Sequence, residues 1–243
     1  MPHTLLNIRE VANYLRVPVS DVEEWARCNE IPCVRRGRDY FFRRSEVENW
    51  ASHRMLESDP GRVVSFHRAQ GHGQTEVHVP ILDRLLRPEW IEPALGSRTR
   101  ASVIRDMVAL AERTGLLNHP EDLLRAVRTR EEEAPTALPG GVALLHAGHR
   151  VPYVLEDSFL VLGRTSQPIP FGAPDGQGTD LFFLVCCADD RSHLQTLARL
   201  CLICLHSNVL ATIRSLNSSE EIHAALLEKE RYVLSRMKSG RLK

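Results

Sequence analysis

Apolar residues recur at helical spacing in three short segments of the first 54 residues. The buried faces predicted for these segments are Ile8, Val11, Ala12 and Leu15; Val22, Trp25 and Ala26; and Val47, Trp50 and Ala51. Three capping-box spacings predict where the helices begin, namely Asn7 to Glu10, Ser20 to Glu23 and Ser45 to Glu48. Between the second and third segments, two short apolar runs flank Arg35-Arg36-Gly37-Arg38, which predicts a hairpin with an arginine-rich turn.

From residue 79 onward, helical and strand-like patterns alternate. The predicted helices are 101–113, 120–128, 193–206 and 218–236, and the predicted strands are 142–145, 158–162 and 180–185. This alternation is typical of an α/β fold in which helices flank a central sheet. The pattern divides the chain into a helical domain at 1–54, a turn-rich linker at 55–78, an α/β domain at 79–236 and a basic tail at 237–243. Within the linker, 63–66 is a candidate short strand.

Composition excludes several classes of protein. The chain has 243 residues, of which 43% are hydrophobic and 26% charged, as in ordinary globular proteins. Basic and acidic residues balance at 31 each, so the net charge favours neither nucleic acid nor membrane. We expect no membrane insertion, because no run of about eighteen apolar residues occurs. The N-terminus lacks a signal-peptide pattern, and we therefore expect a cytoplasmic protein.

The six cysteines do not form a recognisable metal-binding pattern. Cys201 and Cys204 have the spacing of a redox or metal motif, but they fall on the apolar face of a predicted helix. No second such pair accompanies them. The prediction is that both thiols pack in a helix core and that the protein binds no metal and no cofactor.

The candidate chemistry centres on a histidine that ends a buried strand. Gly140-Gly141 breaks the backbone, 142–145 forms the apolar run, and His146 follows it. A side chain at the end of a strand lies at the rim of a sheet, where a ligand can reach it. An imidazole there can serve as a base, a metal ligand or an acceptor of a phosphoryl group.

Other residues around His146 favour the last of these roles. Arg130 precedes it by sixteen residues, the turn 171–177 follows it, and His193 comes just after Asp189-Asp190-Arg191-Ser192. In this order and spacing, residues 79–235 resemble the enzyme IIA domains of the fructose/mannitol type from the bacterial sugar phosphotransferase system, including its nitrogen-related regulatory branch. The resemblance implies a central mixed sheet flanked by helices.

The resemblance also implies the roles of individual residues. His146 would accept the phosphoryl group, His193 would lie beside it and bind phosphoryl oxygens, and Arg130 would neutralise charge, without a metal or cofactor. Such a domain would be a phosphotransferase with a phosphohistidine intermediate if it is active. The chain departs from the family at Leu145, where proline is usual, and at 134–136, where only Thr136 keeps a hydroxyl of the usual Gly-Ser-Thr.

The N-terminal segment resembles small winged helix-turn-helix domains of the excisionase or MerR kind. The motifs that carry this resemblance are Ile8-Arg9-Glu10-Val11-Ala12-Asn13-Tyr14-Leu15, Val17-Pro18-Val19-Ser20, Ile31-Pro32, the hairpin and Arg43-Arg44-Ser45-Glu46-Val47-Glu48-Asn49-Trp50. The segment 1–54 has nine arginines and eight acids, a net of +1, whereas 35–44 has five arginines and one aspartate, a net of +4. We therefore expect the wing to bind DNA phosphates through Arg35, Arg36, Arg38 and Arg43. A protein-interaction role for the same fold remains the alternative.

Three functions are consistent with these features. The first is a regulator that receives phosphate on His146 from a phosphocarrier protein of the HPr type and couples the phosphate to DNA or protein binding. The second is a sugar-specific enzyme IIA that passes phosphate to a IIB partner. The third is a DNA-binding transcription factor whose enzyme IIA-like domain senses without catalysis.

Overall fold

The computed structural model describes residues 5–57, 79–148 and 154–239. The N-terminal part consists of three helices and a small antiparallel sheet. Its elements are β1 (Leu5–Asn7), α1 (Ile8–Leu15), α2 (Val19–Arg27), β2 (Val34–Arg36), β3 (Asp39–Arg43) and α3 (Arg44–Glu57). The strands pair in the order β1-β3-β2. The predicted helices and arginine-bearing hairpin are present, and β1 is an additional strand that the sequence pattern did not predict.

One of the three predicted helix starts in this part is confirmed. Asn7 caps α1, because its Oδ1 accepts a hydrogen bond from the Glu10 N–H at 3.0 Å and Glu10 Oε2 accepts one from the Asn7 N–H at 2.7 Å. The other two starts are wrong. Helix α2 begins right after Pro18, whose ring fixes φ near −55°, and α3 begins at Arg44 directly after β3, so Ser20 and Ser45 lie inside their helices.

The C-terminal part is a mixed sheet with helices packed on it. Its elements are α4 (Leu82–Leu85), a 3₁₀ turn (Pro88–Trp90), β4 (Ile91–Leu95), α5 (Arg100–Glu112), α6 (Pro120–Glu133), β5 (Ala137–Leu138), β6 (Val142–His146), β7 (Phe159–Ile169), β8 (Thr179–Cys186), α7 (Asp190–His206), α8 (Val209–Ser215) and α9 (Ser219–Lys238). The strand order is β4-β7-β8-β6-β5. Strand β6 is parallel to β8, and β7 is antiparallel to β8. The predicted fold class is confirmed.

The glycine pair before β6 breaks the chain as the sequence predicts. Gly140 and Gly141 have φ values of +90° and +80°, which favour glycine over residues with a side chain. A methyl group at Gly141 would lie 2.6 Å from Arg214 Nη2. That guanidinium holds the entry to β6 in place, because it donates to the Gly140 carbonyl at 2.7 Å and pairs with Asp180 of β8.

The core between the sheet and the last helices contains a buried ion pair and two thiols. Arg199 of α7 donates to Glu230 of α9 at 2.5 Å, and both side chains are fully buried. Cys201 and Cys204 lie buried on α7, and burial raises the pKa of the Cys204 thiol to about 12. The prediction that these cysteines pack in a helix core is confirmed.

Within 5–57, 79–148 and 154–239, no helix by itself has both the length and the apolar composition needed to cross a membrane. Ser192–Leu205 and Val209–Ser215 reach those requirements only when taken together, and they meet at 78°. The predicted linker 55–78 falls mostly outside the described residues, as does the candidate strand at 63–66, while α3 continues to Glu57.

Candidate functional site

His146 is the last residue of β6, at the carboxyl end of a strand that lies between β8 and β5. Its Cα pairs with that of Val185 in β8. The four residues before it, 142–145, are completely buried, so the strand is anchored along its length. The sheet therefore holds the imidazole at a fixed place on its edge.

One hydrogen bond determines which nitrogen of His146 can react. Its Nδ1 lies 2.7 Å from the carbonyl oxygen of Leu144. Because a carbonyl oxygen only accepts hydrogen bonds, Nδ1 carries the proton in this contact. The lone pair of the neutral ring is then on Nε2, which makes Nε2 the nucleophilic atom.

His193 lies beside this ring in the first turn of α7. The centroids of the two imidazoles are 5.1 Å apart, and their planes are inclined by 55°. Asp189 caps the helix by accepting a hydrogen bond from the Ser192 N–H at 2.9 Å. Burial, together with the positive charge of Arg130, lowers the pKa of His193 to about 4, although Asp189 opposes this shift. His193 is therefore neutral at pH 7.

Arg130 lies at the end of α6, where its side chain is almost completely buried. Its Nη1 donates to the Ala134 carbonyl at 2.7 Å. Its aliphatic stem lies close to Gly148, because a methyl group there would be 3.1 Å from Arg130 Cδ. The structure thus brings Arg130, His146 and His193 into one cluster, although they lie on three different elements.

One expectation about this cluster is wrong. A histidine at the rim of a sheet was expected to be reachable from solvent, but His146 is 0% exposed. The His193 imidazole lies against this ring, with the two centroids 5.1 Å apart, and α3 packs beside the same edge through its contacts with α7 and β5. The sheet edge is therefore an interface between two parts of the chain.

Two residues at this interface were not singled out from the sequence. Asn49 of α3 donates a hydrogen bond from Nδ2 to Glu133 at the end of α6. Its Oδ1 would lie 3.2 Å from a methyl group at Gly148, two residues after His146. No periodicity or motif relates positions 49 and 133, which are 84 residues apart.

Thr136, whose hydroxyl remains from the family pattern, has a partner inside the protein. Its hydroxyl donates to Glu131 Oε2 at 2.6 Å, and its N–H also points to that carboxylate. Burial raises the pKa of Glu131, whereas these hydrogen bonds and the charges of Arg100 and Arg130 lower it. The hydroxyl therefore holds the loop after α6 to the end of that helix.

The four arginines predicted to bind DNA are all exposed on or beside the hairpin. Arg35 and Arg36 lie 5.8 Å and 5.7 Å from the ring centroids of Tyr40 and Phe41. Arg43 is paired with Glu46 at 2.8 Å, on the surface. The wing thus presents guanidinium groups to solvent, while β1 and β3 fix it to the rest of the N-terminal part.

The described ranges contain no cluster of three or more His, Cys, Asp or Glu side chains suited to a metal ion. The groups gathered at this site are two imidazoles, a guanidinium and the N-terminus of a 17-residue helix. Such a set can bind and transfer an anion, because helix N-termini and guanidinium groups both favour negative charge.

Comparison with known proteins agrees with this chemistry. Residues 84–229 match the family model of the phosphoenolpyruvate-dependent sugar phosphotransferase system, EIIA 2, and residues 5–55 match that of a helix-turn-helix domain. A nitrogen regulatory protein of Bradyrhizobium diazoefficiens is 30% identical over 151 residues, which cover 61% of this chain and 95% of that protein. The fructose-specific EIIABC component of the phosphotransferase system of Bacillus subtilis is 24% identical over 143 residues, 58% of this chain. The chain spans only 22% of that protein.

Solved structures show the same fold. The nitrogen regulatory protein IIA-Ntr from Neisseria meningitidis superposes with a TM-score of 0.52 at 23% identity, covering 58% of this chain and 96% of that protein. The IIA mannitol protein from Escherichia coli superposes with a TM-score of 0.52 at 20% identity, covering 58% and 98%.

Proposed function

Because the chain belongs to the EIIA 2 family of the sugar phosphotransferase system and also carries a helix-turn-helix domain, we propose that it is a phosphoryl-accepting regulator. It receives phosphate on His146 from a phosphohistidine of an HPr-type phosphocarrier and couples that phosphate to DNA or protein binding. The relationship to a nitrogen regulatory protein supports the regulatory role. The matched ranges 5–55 and 84–229 support the proposed division into 1–54, a linker at 55–78, 79–236 and a tail at 237–243.

The proposed transfer uses the lone pair of His146 Nε2. This pair forms a new N–P bond while the N–P bond of the donor phosphohistidine breaks, and its electron pair stays on the donor nitrogen. The proton on Nδ1 remains in the hydrogen bond to Leu144, so no separate base is needed. The three phosphoryl oxygens keep their negative charge throughout, and the surroundings must stabilise that charge.

Two neighbours supply this stabilisation in the proposal. Arg130 contributes a permanent positive charge, and a guanidinium can contact phosphate oxygens through two N–H groups. His193 is neutral at pH 7 because its pKa is lowered to about 4, so it can donate one N–H to an oxygen. The first turn of α7, on which His193 lies, favours the anion as well.

The observation that carries the proposal is the juxtaposition of the two imidazoles, with Nδ1 of His146 committed to Leu144. The test is incubation with a phosphorylated HPr-type carrier, followed by mass spectrometry under conditions that preserve phosphohistidine. Native protein and the exposed-histidine control His119→Gln should gain one acid-labile phosphate, whereas His146→Ala should gain none. Equal labelling of His146→Ala and native protein would refute the assignment.

The DNA-binding half of the proposal rests on the wing. Its exposed arginines can neutralise phosphates, whereas α2 presents Glu23 and Glu24 to solvent and would be repelled by them. DNA binding that weakens as salt is added, and that needs the wing arginines, would support a DNA partner. A protein partner that binds the same face, with no measurable DNA binding, would favour the alternative role.

A phosphocarrier and DNA both belong to the bacterial cytoplasm, so the proposal places the protein there.

A second function is favoured by the similarity to the fructose-specific EIIABC component. In this alternative, the phosphate on His146 passes to a IIB partner that is a separate protein, and the N-terminal part serves for docking. Adding a IIB domain to phosphorylated protein distinguishes the two functions, because rapid loss of the phosphate from His146 supports the carrier and retention supports the regulator. If no phosphate is ever accepted, the remaining function is a transcription factor with a sensing domain.

A further inference from the structure

We infer that α3 of the helix-turn-helix domain is an intramolecular cover over the phosphoacceptor site, held in place by Asn49, and that donor access and phosphorylation compete with this contact. The inference rests on the proposed function, because it concerns how the same histidine is reached. It adds a regulatory contact within the chain and a residue that controls it.

Helix α3 contacts three elements at or next to the site. The helix packs against α7, which carries His193, and against β5, the neighbour of β6. Asn49 reaches Glu133 at the end of α6, three residues after Arg130. Its Oδ1 also approaches Gly148, in the segment that leaves His146. A single side chain of the N-terminal domain thus lies beside both the segment after the acceptor histidine and the helix of the arginine.

The burial of His146 connects the contact made by α3 with the phosphotransfer step. His146 is 0% exposed, whereas the attack of Nε2 needs a donor phosphohistidine within bonding distance. A protein donor must therefore gain access at this sheet edge, beside which α3 packs against α7, β5 and Glu133. Once transferred, the phosphoryl group adds about two negative charges and three oxygens. It must occupy space next to an interface that already includes the carboxylate of Glu133.

The contact between Asn49 and the α/β domain is incompletely hydrogen-bonded. Asn49 Oδ1 is buried and accepts no hydrogen bond from the described residues, although Nδ2 is satisfied. A buried acceptor without a donor costs free energy, so this interface is weaker than a fully paired one. Because coupling between two events is reciprocal, a phosphate that favours opening of α3 is itself favoured when α3 is open.

The isosteric change Asn49→Asp tests the cover. It replaces the amide donor with a carboxylate that faces Glu133, so the two groups repel each other and the contact opens. We expect phosphotransfer to His146 to become about tenfold faster, within the usual range of coupling between sites. Asn13→Asp, which adds the same charge at an exposed position of α1, should leave the rate unchanged. The double variant Asn49→Asp/Glu133→Gln restores a donor–acceptor pair and should return the rate toward the native value.

A second measurement separates failure of the cover from failure of the proposed function. Diethylpyrocarbonate modifies accessible neutral imidazoles and needs no phosphodonor. Its reaction with His146, followed by mass spectrometry of unphosphorylated protein, should be about tenfold faster in Asn49→Asp and near native in the double variant. If Asn49→Asp, with a native circular dichroism spectrum, leaves modification of His146 unchanged, the cover is refuted. If modification rises but no variant accepts phosphate, the cover stands as a contact and the phosphoacceptor assignment fails.

Discussion

The neutral state of His193 predicts a specific dependence of stability on pH. Its pKa is lowered to about 4 in the folded protein, mainly by burial and then by Arg130, whereas an unfolded histidine titrates near 6.5. Between these values the unfolded chain binds more protons than the folded one. The contribution of His193 to stability is therefore complete above pH 6.5 and is lost as the pH falls toward 4.

The magnitude follows from the two pKa values. At pH 5, an unfolded histidine is almost fully protonated and the folded one is mostly neutral. This difference lowers the free energy of unfolding by about 2 kcal/mol relative to pH 8. Replacing His193 with glutamine removes the titration while keeping a polar side chain of similar size. The pH 8 to pH 5 loss should then be about 2 kcal/mol smaller in His193→Gln than in native protein.

Urea unfolding at the two pH values provides the assay, with hydrogen exchange of β8 amides reporting on the part of the chain that carries His193. The matched control is His119→Gln, because His119 is exposed at the start of α6. The control should keep the native pH dependence. If His193→Gln loses as much stability as native protein between pH 8 and pH 5, His193 is not held neutral by its surroundings and the electrostatic description of the site is wrong.

Three further predictions concern other charged groups. Arg130→Lys keeps the positive charge but cannot contact two phosphoryl oxygens at once, so phosphotransfer to His146 should slow by about tenfold or more. An unchanged rate in rapid-quench assays would show that Arg130 does not act on the phosphoryl group. Changing the three wing-turn arginines to alanine (R35A/R36A/R38A) should weaken DNA binding and reduce the slope of log affinity against log salt by up to about 3; an unaltered slope in fluorescence anisotropy would exclude the wing. Glu230→Ala leaves Arg199 buried without its carboxylate and should cost about 3–5 kcal/mol in urea unfolding; a loss below about 1 kcal/mol would contradict the buried pair.

The sequence predicted the parts of this fold that have strong periodicity. Strands β6, β7 and β8 are apolar runs bounded by turns, and helices α5, α6, α7 and α9 have clear apolar faces. The missed elements lack such signals. Strand β4 contains Pro93 and lies at the sheet edge, β5 has only two residues, and α8 has seven. Short elements of this kind are determined by their neighbours in the fold rather than by their own sequence.

The sequence predicted which residues form the histidine site, but it did not predict what surrounds them. His146 follows a strand and His193 begins a helix at the same sheet edge, so their proximity follows from the topology. Part of the surroundings of this site comes from α3, which belongs to the helix-turn-helix domain. Asn49 is one polar residue on a helix with many, and nothing local distinguishes it from its neighbours. Contacts between domains depend on how two surfaces fit, and one sequence contains little information about that fit.

The failed helix starts have a similar explanation. Ser20 and Ser45 have the spacing of a capping box, but Pro18 begins α2 without a side-chain cap and β3 runs directly into α3. The capping-box pattern indicates a nearby helix N-terminus, and preceding structure can move that terminus by one or two residues.

The central claim is that His146 accepts a phosphoryl group on Nε2, and NMR of protein with ¹⁵N-labelled histidine tests it most directly. After incubation with a phosphorylated HPr-type carrier, long-range ¹H–¹⁵N spectra identify the ring and the nitrogen that carry phosphorus. We predict a single phosphohistidine at His146, bonded through Nε2, with Nδ1 still protonated by its contact with Leu144. Phosphorus on Nδ1, on His193 or on no histidine at all would contradict the account.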